Sequence, residues 1–387
     1  MKSNNNKIQS EKSKNENNKT LSNKRKRSKS LKNNLENICK LNKNPKSIKK
    51  NQLLINNDKL DYIITFIVVN SNEYLYLIYT NNKNSIIFYN LLDNKKVSEI
   101  KNAHISKIND LKHIYDTINE RDLILSISHE IDIKIWDINK LECLSNFYNK
   151  INKDKFKYIF ISYDWSACFL NDNNQIYVLS DLNSKQIEVF DLNGNIKKKI
   201  DNSSDGAKII ESYYDNKLSK NFIIVSFWAK VIRVYDYNQN KIYQTYLNII
   251  CSNFNIFEKN KNVYLIASDY FKKYDIKIWD FHSGKLLKII CVGTGEIFKT
   301  GNKDVFLYTP NYQIISLCKW NNDYIFVGYN YFNNQRNIIK LLEIETGRIL
   351  NELYFYRKKI QKIVKVVHPK YSACLLILDD NGLMLWT

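Results

Sequence analysis

Ile133-Lys134-Ile135-Trp136-Asp137 recurs as Ile276-Lys277-Ile278-Trp279-Asp280. The same order of alternating aliphatics, an aromatic and an acid is written in Ile187-Glu188-Val189-Phe190-Asp191 and Ile232-Arg233-Val234-Tyr235-Asp236. Four such copies exclude chance. Weaker copies, Ile86-Ile87-Phe88-Tyr89-Asn90, Ile339-Lys340-Leu341-Leu342-Glu343 and Leu383-Met384-Leu385-Trp386-Thr387, bring the number to seven. Successive end points lie 47, 54, 45, 44, 63 and 44 residues apart. Alternation with period two is what a strand needs when both faces of its sheet are covered. A fixed spacing of roughly 40–45 residues is the size of a four-stranded repeat unit.

Each motif therefore reads as the third strand of a blade, and the chain as an all-β, seven-bladed β-propeller. In these motifs the sequence resembles the WD40 family from about Leu53 to Thr387. Tight turns after the third strands call for a residue at positive φ, and Gly194, Gly284 and Gly347 stand there. Ala103-His104 takes the place of the family's Gly-His pair, Val367-His368-Pro369 resembles the turn after a first strand, and Asp379-Asp380-Asn381-Gly382 is a strong hairpin signal.

The last motif ends at Thr387, so the seventh blade lacks its outer strand. The resemblance implies that an N-terminal strand supplies it, and Gln52-Leu53-Leu54-Ile55 is the apolar run in the right place. Leu53 to Ile55 is expected to pair with Gly382–Trp386 and remove an open edge. The family's stabilising network joins His, Ser or Thr, Asp and Trp within a blade. Blade 2 comes nearest, with His104, Ser126 or Ser128, Glu130 in place of the aspartate, and Trp136. The aromatic slots Phe190, Tyr235, Trp279 and Trp386 read as core.

Composition supports a large β-rich core, with 44% hydrophobic and 13% aromatic residues. The seven cysteines are scattered without a C-x-x-C pair, which reads as reduced thiols inside a cell. No charge-free apolar run reaches the roughly 20 residues of a membrane helix, so a soluble protein in cytoplasm or nucleus is expected.

The net charge of +20 is uneven: residues 1–50 hold 16 Lys/Arg against 3 Glu, or +13, leaving +7 for residues 51–387. Residues 1–50 are rich in Asn, Lys and Ser and lack aromatics, and so read as a disordered basic tail ahead of the propeller at 51–387. Within the tail, Lys24-Arg25-Lys26-Arg27 fits a nuclear-import signal or a nucleic-acid contact.

No signature of catalysis is present. There is no phosphate-binding G-x-x-x-x-G-K-[ST], no G-x-S-x-G and no H-E-x-x-H, and Gly293-Thr294-Gly295 reads as a loop. No cofactor or metal site is expected, and no enzymatic activity. A propeller enzyme would place a polar set around its central channel, and the sequence displays none.

Partner binding is expected where the loops between second and third strands gather. Blades 4, 5 and 6 carry unusual ones: Phe227-Trp228-Ala229-Lys230, Asp269-Tyr270-Phe271-Lys272-Lys273-Tyr274, and Tyr329-Asn330-Tyr331-Phe332 through Arg336. Aromatics beside cations, where a turn would take Asn, Asp or Gly, have the makeup of an interface hot spot. Trp228, Lys230, Tyr270, Phe271, Lys272, Tyr331, Phe332 and Arg336 are the expected partner-binding residues. The insertion Val292 to Pro310 is expected to cover or extend that arc, and Arg357, Lys358, Lys359 and Lys362 to add charge beside it. An acidic peptide segment is the first expected ligand and single-stranded nucleic acid the second. The function expected is a non-enzymatic interaction scaffold within a hetero-complex; the alternative is a nuclear RNA- or chromatin-associated propeller.

Overall fold

The computed structural model describes residues 51–56, 62–71, 74–129, 132–147, 166–181, 186–201, 206–249, 251–269, 276–291, 296–299, 312–331, 336–356 and 358–387. All of its regular structure is strand. β1 spans Asn51–Asn56. Blade 1 is β2 (Ile63–Ser71), β3 (Tyr74–Asn81), β4 (Ile86–Asn90) and β5 (Lys95–Ile100). Blade 2 is β6 (Ile108–Asp116), β7 (Arg121–Ser128), β8 (Ile133–Asp137) and β9 (Glu142–Asn146). Blade 3 is β10 (Ala167–Asp172), β11 (Gln175–Ser180), β12 (Gln186–Asp191) and β13 (Ile196–Asp201). Blade 4 is β14 (Ala207–Asp215), β15 (Lys220–Phe227), β16 (Val231–Asp236) and β17 (Lys241–Leu247). Blade 5 is β18 (Cys251–Lys259), β19 (Asn262–Asp269), β20 (Ile276–Asp280), β21 (Leu286–Cys291) and β22 (Glu296–Lys299). Blade 6 is β23 (Tyr312–Lys319), β24 (Tyr324–Tyr331), β25 (Arg336–Glu343) and β26 (Ile349–Tyr356). Blade 7 is β27 (Ile360–His368), β28 (Ser372–Asp379) and β29 (Gly382–Trp386), with β1 as its fourth strand.

All seven sequence motifs fall on third strands. The reason lies in the period-two alternation. On β15, Phe222 and Ile224 pack toward blade 5 while Ile223, Val225 and Phe227 pack toward blade 3. On β28, Ala373, Leu375 and Ile377 face blade 6, whereas Cys374, Leu376 and Leu378 face blade 1. Each sheet is thus apolar on both faces, and the only way to cover both is to stand between two more sheets. Seven apolar clusters follow, one at each junction of neighbouring blades, including the junction of blade 7 with blade 1. That last cluster closes the ring.

In the four clear copies the acid that ends the motif caps the turn to the fourth strand. Asp137 accepts from the amides of Asn139 and Lys140, Asp236 from Asn238 and Gln239, and Asp191 from Asn193 and Asn195, all at 2.8–3.1 Å. Burial alone would raise the Asp191, Asp236 and Asp280 carboxyls, but these N–H donors and nearby cations outweigh it and hold them below the usual carboxylate range. The Asx geometry sets the turn chemistry. Gly194, Gly284 and Gly347 sit in the same turns at φ 76°, 69° and 68°, as their positions in the sequence require.

Ring closure follows the expected register. Asn51 pairs with Trp386, Gln52 with Leu385, Leu53 with Met384 and Ile55 with Leu383, with a bulge between Leu53 and Ile55. Leu54 and Ile55 pack onto the cluster shared by blades 7 and 1. Blade 5 is five-stranded: Glu296–Lys299, inside the Val292 to Pro310 insertion, adds β22 to the outer edge of β21, and the rest of the insertion lies outside the described residues. One expectation is corrected. Trp386 is half-buried, tilted against Phe355, whereas Phe190, Tyr235 and Trp279 are buried core as expected.

The innermost strands β2, β6, β10, β14, β18, β23 and β27 each leave one ladder edge without a strand partner. Side chains from neighbouring blades satisfy part of it. Asn253 donates to the carbonyl of Ile315 at 2.6 Å, Ser212 to that of Phe169 at 2.6 Å, and Asn330 to that of Ile360 at 2.7 Å. Asn330 Oδ1 accepts from the Ile360 amide in return, at 2.9 Å. These bonds stitch blade to blade where the apolar clusters end.

Candidate functional site

The turns between second and third strands, together with the links from one blade to the next, form one face of the ring, here the upper face. The first-to-second and third-to-fourth turns form the lower face. On the upper face of blade 4, Phe227 closes β15 opposite Val231, and Trp228, Ala229 and Lys230 make the turn. Lys230 adopts φ 62°, a left-handed conformation that Asn or Gly takes at lower cost, and its side chain is exposed. Trp228 is half-buried. The ammonium of Lys208, from β14, lies 4.5 Å from the centroid of its ring, and Arg233 lies 5.6 Å from the ring of Phe227. Blade 4 thus carries a half-buried indole covered by Lys208, in the same turn that exposes Lys230.

The other expected contacts are less fully placed. Tyr331 is the last residue of β24 and Arg336 the first of β25, so both stand on strand ends at the upper face of blade 6. Tyr270, Phe271, Lys272 and Phe332 lie outside the described residues, as does Lys24 to Arg27. Two aromatics quoted with the arc turn inward: Phe227 is 0% exposed and Tyr329 1%. Lys362 is not a surface charge beside the arc, because it projects from the innermost strand β27 and donates to the carbonyl of Phe66 at 2.9 Å.

Blade 2 contains the four-member network implied by the resemblance, with one residue corrected. His104 Nδ1 lies 2.9 Å from Asp132 Oδ2, His104 Nε2 2.6 Å from Ser126 Oγ, and Trp136 Nε1 2.8 Å from the same Oγ. The acid is Asp132, not Glu130, which lies outside the described residues; and the hydroxyl is Ser126, not Ser128. Proton positions follow from the chemistry. The carboxylate only accepts, so His104 carries its proton on Nδ1; Nε2 then accepts from Ser126, whose oxygen accepts from Trp136. Burial pushes the His104 pKa down, consistent with a neutral ring. The network pins the link entering blade 2 to the start of β8.

Sequence reading found no polar set in the central channel, and the structure contains one. Asp110 and Lys112 on β6, Glu211 on β14 and Lys362 on β27 gather there. Lys112 contacts Asp110 at 3.4 Å and Glu211 at 2.5 Å, passing blade 3 to reach the latter, and its side chain is 24% exposed. Burial would lower its pKa, but the two carboxylates together raise it. Burial lowers that of Lys362, against the pull of Asp110. Each ammonium in this set already has an acceptor, so the cluster has the makeup of a strut across the channel. The pairing could be found only by closing the ring, since Lys112 and Glu211 are 99 residues apart.

Cys168, Cys251, Cys318 and Cys374 are buried, and desolvation pushes the last three up to about 12, leaving them as packing groups. Cys143 is exposed. Among the described residues, no group of three or more His, Cys, Asp or Glu is placed to hold a metal ion, and no helix is long and apolar enough to cross a membrane. No protein-family model matches the chain, and no curated protein matches it.

Proposed function

We propose that this chain is a WD40 propeller acting as a non-enzymatic protein-interaction scaffold, one subunit of an intracellular assembly, with its partner seated on the upper face at blade 4. Propellers commonly serve as interaction scaffolds, and the fold of this chain is of that kind. The His104–Ser126–Trp136 chain with Asp132 supports the WD40 assignment. The observation that carries the binding site is Lys230, exposed in a turn at φ 62° beside a half-buried Trp228 that Lys208 covers on one face. An unfavourable turn residue retained next to an indole and a second cation suits an acidic peptide segment. Tyr331 and Arg336 extend the same face toward blade 6, and Tyr270, Phe271, Lys272 and Phe332 belong to the proposal from sequence.

In affinity purification from the native cell, the pair Trp228→Ala with Lys230→Glu is expected to lose a defined subset of partners that the intact chain retains. An unchanged partner list overturns the assignment of the site. A second reading rests on Lys24 to Arg27: a nuclear RNA- or chromatin-associated propeller that uses the basic segment for import or phosphate contacts. Retention that falls steeply with salt, in proportion to the phosphates neutralised, favours that reading.

A further inference from the structure

Three lysines of the innermost strands, Lys112, Lys362 and Lys365, each donate to a protein oxygen. Lys319, the last residue of β23, does not. It is half-buried, and among the described residues its ammonium has neither a hydrogen-bond acceptor nor an ion-pair partner. Lys319 stands five residues past Ile314, where the β23 ladder is bulged, and Lys365 five past Ile360, where β27 is bulged in the same way. The two lysines therefore hold equivalent places on neighbouring innermost strands, toward the lower end of the channel. The Ile363 amide, donating to Ser316 Oγ at 3.1 Å, ties those strands together.

The second cation is close. Lys365 donates to the carbonyl of Trp320, the residue that follows Lys319, at 2.5 Å, and lies 5.0 Å from the centroid of its ring. An ammonium has three donors, so two of those on Lys365 remain. Burial pushes the Lys319 pKa down; Glu258 on β18 pulls it back, and the positive charge of Lys365 acts in the same direction as burial. The surrounding acids are engaged elsewhere. Glu258 accepts from the Tyr213 hydroxyl at 2.9 Å and makes no ion pair with Lys319. Asp110 and Glu211, higher in the channel, are held by Lys112, and Asp323, in the turn after β23, by Lys259 at 2.9 Å. Keeping an ammonium partly out of water, beside a second cation and without an acceptor, costs stability that an entering anion returns.

We propose that Lys319 and Lys365 bind an oxyanion at the lower end of the channel: a phosphate group, free or esterified to a small molecule. Phosphate has oxygens enough for the Lys319 ammonium and for the two remaining donors of Lys365, and charge-assisted bonds of this kind are the strong ones. The bound anion joins β23 to β27, so occupancy fastens blade 6 to blade 7, the blade that β1 completes.

Thermal unfolding of the full chain at constant ionic strength tests this, with chloride, inorganic phosphate or glycerol 3-phosphate as the anion at low millimolar concentration. Either phosphate is expected to raise the melting temperature saturably, by about 2 °C or more once the site is filled. The larger of the two shifts tells free from esterified phosphate. Lys319→Gln is expected to abolish the shift while keeping or raising the midpoint in chloride, because it removes an uncompensated charge, and Lys319→Arg to retain the shift. Lys24–Arg27 is intact in all of these chains, so a difference between them reports the channel. Equal midpoints in chloride and both phosphates, or a shift that survives Lys319→Gln, overturns the proposal. A Lys319→Gln midpoint several degrees lower in chloride also overturns it, since the lysine is then a structural group.

Discussion

Removing residues 51–56 is expected to lower the melting temperature by about 10 °C or more, whereas removing residues 1–48 shifts it by less than about 2 °C. The short segment carries the whole outer strand of blade 7. Its loss strips the half-buried Leu54 and Ile55 from the cluster between blades 7 and 1, at roughly 1 kcal/mol for each side chain. It also removes the β1–β29 ladder, at about 0.5–1.5 kcal/mol per hydrogen bond. Several kcal/mol is a large share of a total that is typically ~5–15 kcal/mol. The exposed edge of β29, Gly-Leu-Met-Leu-Trp, is then an apolar template for pairing with another chain. Aggregation on heating should accompany the lower midpoint, and turbidity recorded alongside circular dichroism detects it. Equal small effects of the two deletions contradict the closure.

Ser126→Ala is expected to have the second largest effect, a loss of about 2–4 kcal/mol in urea unfolding. The Ser126 hydroxyl is 0% exposed and serves two neighbours at once, accepting from Trp136 Nε1 and donating to His104 Nε2. The alanine leaves a buried donor and a buried acceptor unpaired, and the desolvation of each is unrecovered. Ser128→Ala serves as the comparison: its hydroxyl accepts only the Asp132 amide, at 3.2 Å. A Ser126→Ala effect no larger than that of Ser128→Ala removes the network from the account.

The repeat was legible because it is enforced twice, by the two-sided burial of each third strand and, in the four clear copies, by the acid that caps the following turn. The strand that closes the ring was legible by counting. The acid of the blade 2 network was misplaced by two residues, since Glu130 and Asp132 both stand in the turn and only the backbone decides which carboxylate meets His104. β22 gave no signal: Glu-Ile-Phe-Lys is too short for its alternation to stand out within an insertion. The channel cluster was beyond reach for another reason. Asp110, Lys112, Glu211 and Lys362 are each unremarkable on a strand, and only the closed ring brings three distant blades together. For the binding face, the sequence identified Trp228 and Lys230 as unusual turn residues, but Phe227 and Tyr329 show that an aromatic beside a turn can as easily face the core.

Hydrogen–deuterium exchange of the intact protein tests the central claim, a ring of seven blades closed by its own N-terminal strand. The account predicts that the amides of Asn51–Asn56 that face β29 exchange as slowly as those of the other outer strands, while Gly382–Trp386 is protected on both edges. Exchange of residues 51–56 at the rate of a free peptide, with one edge of Gly382–Trp386 unprotected, would contradict it.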